Sequence, residues 1–179
     1  MQSGVENKVA ETIRTALVRY INWAAKDGGF SKRSIIPTFL VDAMDATLPP
    51  DAAIAHIQDR MAELAEKHRA FLRRDPIEVV TRTDSGEDHL TREYVRRPPV
   101  LFGLFVIYAT VLVLTVDSAK SPKDAIVSYH VEVNFGEANQ GVWNALTVAL
   151  PVCMARDYMR ERMCDYPLFE DREDEDPDA

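Results

Sequence analysis

Apolar residues recur at helical spacing through residues 6–26, where Val9, Ile13, Ala16, Leu17, Tyr20, Ile21 and Ala24 form one stripe. Gly28 and Gly29 follow as a C-terminal stop, so the spacing predicts an amphipathic helix. A short second helix is expected over 36–46, with Pro37 in its first turn and Leu48-Pro49-Pro50 ending it. Asp51 then stands as the cap of a third helix reaching about residue 74. Its buried stripe would be Ile54, Ile57, Met61, Leu64, His68, Phe71 and Leu72, with Arg73 and Arg74 complementing its C-terminal dipole.

Beyond Pro76 the period changes from helical to extended. Residues 77–83 and 90–97 read as the strands of a polar hairpin around a turn at 84–88. Residues 100–116 carry no charge, which is near the short limit for a membrane-spanning helix. Their valines, isoleucine, phenylalanines and threonines are strand formers, however, and Tyr108-Ala109-Thr110 divides the run into two buried strands. After a polar loop at 118–124, residues 126–135 alternate. Ser128, His130, Glu132 and Asn134 point one way, and Val127, Tyr129, Val131, Val133 and Phe135 the other. A long helix follows Gly136 to about residue 163, kinked at Pro151. Helices first and strands later predict an α+β fold. It would have three N-terminal helices, a largely antiparallel sheet of four or five strands, and a long C-terminal helix packed on that sheet.

The chain has 179 residues, which suits one globular domain over 1–169 and leaves 170–179 as a disordered acidic tail. Composition is that of a globular protein, with 46% hydrophobic and 28% charged residues. The formal net charge of −8 misleads as a surface property, because 170–179 holds seven acids and one arginine and leaves the body nearly neutral. Cys153 and Cys164 stand eleven positions apart in one expected helix, about 16 Å along its axis, too far to pair with each other. The first residues lack an apolar leader, so no signal peptide is read. The expected compartment is the cytoplasm or nucleus.

The strongest chemical motifs are missing. The seven glycines build no phosphate loop, no Gly-x-Ser-x-Gly elbow is present, and no cysteine or histidine spacing suits zinc. Arg92, Arg96 and Arg97 with Tyr94 make a small basic strand, with Lys120 and Lys123 in the next loop. These read as edge-strand charge, and nucleic acid is not the expected partner. His68 lies on a core stripe, whereas His56 and His89 read as exposed.

His130 shares its strand face with Ser128, Glu132 and Asn134. Gln140, Asn144 and Thr147 form a polar stripe on the final helix. Facing each other, the two stripes would enclose a site with His130 or Glu132 as acid or base, and with Ser128, Asn134, Gln140 and Asn144 as substrate-binding residues.

The same segment, residues 111–158, resembles the PD-(D/E)XK nuclease-like fold. Asp117 ends one strand, Glu132-Val133-Asn134 lies on the next, and Gln140 opens a helix with Trp143 three positions on. The resemblance implies Asp117 and Glu132 as magnesium ligands and Gln140 as a substrate contact, with Asn134 standing where that family has lysine. The expected function is binding of a small molecule or protein partner through the polar sheet face, without a cofactor. Metal-dependent phosphodiester cleavage is the alternative, and a lyase or isomerase with His130 as base is a third reading.

Overall fold

The computed structural model describes residues 2–81, 88–166 and 168. In chain order the elements are α1 (Gln2–Asp27), β1 (Phe39–Ala43), α2 (Pro50–Leu72), β2 (Arg73–Thr81), β3 (Asp88–Tyr94), β4 (Val100–Ile107), β5 (Thr110–Asp117), β6 (Ser128–Asn134) and α3 (Gly141–Arg162), with a 3-10 turn at Met163–Asp165. The fold is α+β. The turn expected at 84–88 falls largely, and the acidic segment 170–179 wholly, outside the described residues.

β1, β4, β5 and β6 form one sheet in that order, while β2 and β3 pair with each other as a separate two-stranded ribbon. β4, β5 and β6 are antiparallel neighbours, but β1 lies parallel to β4 with Phe39 opposite Phe102. The sheet is therefore mixed rather than largely antiparallel. Two helices, not three, precede the ribbon, because the segment expected as a short helix is strand β1. Phe39, Leu40 and Val41 are good strand formers, and the exposed apolar edge of β4 offers them a ladder that an eleven-residue helix could not replace. Phe39 also stacks on Phe102 with ring centroids 5.1 Å apart.

The uncharged run 100–116 is the β4–β5 hairpin, turned at Tyr108 with φ of 54°. Among the described residues no helix is long and apolar enough to cross a membrane.

The sheet lies between two layers of helix. On one face Leu17 and Ala24 of α1 and Val148 and Val152 of α3 pack with Leu104, Val111 and Val133. On the other face Ile57, Met61 and Leu64 of α2 pack with Leu101, Phe105 and Leu114. Gly103 makes the second contact possible, since a Cβ there would stand 2.8 Å from the Met61 sulfur and 2.8 Å from the Phe105 ring. The expected α2 stripe is buried at Ile57, Met61, Leu64, His68 and Leu72, whereas Ile54 and Phe71 stay exposed. β6 is an edge strand, and of its valines only Val133 is buried.

Candidate functional site

Alternation along 128–134 places Ser128, His130, Glu132 and Asn134 on one face only if the strand is regular. It is not. The β5–β6 register shifts between Val113 and Leu114, so that Val113 opposes Val131 and Leu114 opposes Tyr129, which leaves His130 as an extra residue. Glu132 opposes Leu112 and Asn134 opposes Thr110, both on the face toward α2. Ser128 opposes Thr115 on the face toward α1 and α3, and His130 Nε2 lies 2.7 Å from Thr115 Oγ1 on that same side. A single bulge thus divides the four residues between two faces, because side-chain direction follows the period of two and an inserted residue resets it. His130 and Glu132 are both exposed.

The two carboxylates singled out as metal ligands are likewise separated. Asp117 opposes Val100 and points to the α1/α3 face, while Glu132, opposite Leu112, points to the α2 face. Five strand positions divide them, about 17 Å. Asp117 is engaged locally: Arg97 Nη2 donates to its Oδ2 at 2.9 Å, and the Ala119 amide donates to its Oδ1 at 3.0 Å. Among the described residues no three histidine, cysteine or acidic side chains converge on a point that would hold a metal ion. Of the basic strand, Arg96 pairs with Asp165 and Arg97 with Asp117, so both charges are balanced within the fold. The Arg92 side chain lies outside the described residues.

Two of the three side chains in the α3 stripe make hydrogen bonds within the fold. Buried Asn144 donates through Nδ2 to the Asn134 carbonyl at 2.8 Å, which ties the start of α3 to the end of β6. Asn134 Oδ1 accepts from the Gly136 amide at 2.8 Å and shapes the connecting turn. Gln140 is exposed, makes no side-chain cap, and contributes its carbonyl to the Asn144 amide. Thr147 Oγ1 donates to the Trp143 carbonyl one turn back. The strand and helix stripes meet at one hydrogen bond rather than around a pocket.

A pocket does exist elsewhere. A groove of about 450 Å³ runs between the C-terminal half of α1, β1, α3 and the segment joining α1 to β1. Its lining includes Phe39 and Val41 of β1, Val18 and Ile21 of α1, Val152 and Met159 of α3, and Phe30 and Ile35 of the joining segment. Few polar groups interrupt this apolar lining. Arg156 is held by Asp27 at 2.8 Å and by Asp157, which balances its charge. Arg33 donates through Nη1 to the Tyr166 carbonyl at 2.7 Å, and no carboxylate among the described residues pairs with it.

Volume, apolar lining and a cation with no carboxylate partner among the described residues are the features of a ligand pocket. The sequence carries no local signal for it, because its walls come from residues 18–41 and 152–159 and close only when α3 packs beside α1.

Comparison with protein-family models, with curated proteins and with solved structures finds no match to this chain.

Proposed function

We propose that the protein binds a small apolar molecule bearing one acidic group. Its aliphatic body would lie along Phe39, Val41 and Val152, and its carboxylate would meet Arg33. The groove between α1, β1 and α3 carries this reading: its volume falls within the range of small-molecule pockets, and its lining would release water from apolar surface on binding. Arg33 supplies direction, since a guanidinium partly shielded from water holds a carboxylate more strongly than an exposed one does. The acid–base reading at His130 has no such enclosure to support it.

Thermal unfolding of the whole chain with dodecanoate below its micelle concentration tests the proposal. At saturating ligand the melting temperature is expected to rise by about 5 °C or more. Dodecanol, lacking the charge, should bind more weakly. Arg33→Gln, measured against its own ligand-free baseline, should weaken dodecanoate by roughly tenfold and leave dodecanol unchanged. Absence of a saturable shift with either molecule would remove the groove as a binding site.

A further inference from the structure

Helix α3 carries no charge in its first two-thirds, residues 141–155, and its only polar side chains there are Asn144 and Thr147. Val148, Val152 and Ala155 face the sheet and are buried. The opposite face should be polar in a helix that borders water. Instead it presents Val142, Trp143, Leu146, Leu150 and Met154, which remain 73%, 67%, 49%, 65% and 64% exposed. Trp143, Leu146, Leu150 and Cys153 follow a spacing of three, four and three, the seam by which one helix packs on another.

We infer that this face of α3 is the interface of a homodimer, with a second copy of the chain as its occupant. Three observations favour a second copy over an unlike partner. The five exposed side chains offer roughly 600 Å² of apolar surface, close to the ~800 Å² per partner that a stable interface takes. The face is uncharged and apolar, and homodimer interfaces are more apolar than those of non-obligate complexes.

The face is also self-complementary. Beside the Leu146–Leu150 ridge lies a second groove of about 450 Å³ between α1 and α3, floored by Ala16, Ala145 and Ala149 and walled by Ile13, Tyr20 and Phe135. A two-fold axis across α3 sets the ridge of each copy into the groove of the other, which satisfies both features at once and closes the assembly at two. The two grooves take different residues of α1, Val18 and Ile21 in the first and Ile13 and Tyr20 in the second, so this inference stands apart from the ligand proposal.

Sedimentation of the full chain at roughly 100 µM is expected to give twice the 20.2 kDa chain mass. Leu150→Glu, at an exposed position, should leave the circular dichroism unchanged and weaken the dimer by roughly a hundredfold. A second reading follows the interface without a charge change: in a Trp23→Phe background Trp143 is the sole indole, and its emission should shift to the blue as concentration rises through dimerisation. A wild-type chain that sediments as a monomer at this concentration overturns the inference. So does a dimer that Leu150→Glu does not weaken, or one in which Trp143 emission stays that of an exposed indole.

Discussion

His68 shows how burial converts a titratable side chain into a structural one. Its ring is fully buried, with Nε2 2.9 Å from the Pro37 carbonyl and Nδ1 without a partner. The Nε2 proton is therefore the one donated, and the imidazole is neutral. Burial pushes its pKa below the usual histidine value, only partly offset by the bond to Pro37. The unfolded chain thus takes up this proton more readily than the folded one. Stability from neutral His68 is complete above the unfolded value near ~6.5 and is lost as pH falls from there toward the lowered folded value, by at most ~1.4 kcal/mol per pH unit. Urea unfolding should accordingly show a falling midpoint between pH 7 and pH 5. His68→Gln should flatten that slope even if it lowers stability at neutral pH. An unchanged slope in the variant would assign the pH dependence to other groups.

At the scale of elements, packing depends on who lies opposite. α2 reaches the sheet because Gly103 on central strand β4 has no side chain, and the fully buried Met61 occupies the space a Cβ would take. Gly103→Ala is expected to cost about 1–3 kcal/mol, because the new methyl meets both the Phe105 ring on its own strand and the Met61 thioether from α2. In a double-mutant cycle with Met61→Ala the two changes should be less than additive, since the shorter side chain vacates the site the new methyl needs. Strict additivity in chemical denaturation would mean that Met61 does not set the approach of α2. β6 behaves differently. As an edge strand it tolerates the bulge at His130, and that bulge costs the expected polar face its unity.

For the whole molecule, charge and fold separate along the chain. Residues 170–179 carry a net −6 and, apart from Ala179, no apolar side chain. They have almost nothing to bury, so truncation after Phe169 should move the melting temperature by no more than about two degrees. A larger drop would indicate that the acidic segment docks on the body, with Arg33, which bridges Leu168, the first cation to examine.

What could be read from the sequence was whatever repeats locally. The stripe of α1 apart from exposed Val9 and Ala16, that of α2 apart from exposed Ile54 and Phe71, the division of the uncharged run at Tyr108 into β4 and β5, and the core placement of His68 follow from periods of 3.6 and 2 and from strand propensity. Only the tertiary structure decided the rest. Residues 39–43 became a strand because β4 offered them a parallel partner sixty residues away, a contact no local window contains. Ser128 and Glu132 ended on opposite faces because register is a property of two strands, and one unpaired residue inverts every side chain beyond it. Asp117 and Glu132 are near in the order of elements but five rungs apart in the ladder. The groove beside Arg33 exists because α1, β1 and α3 meet there, and its lining is apolar residues that in sequence are indistinguishable from core.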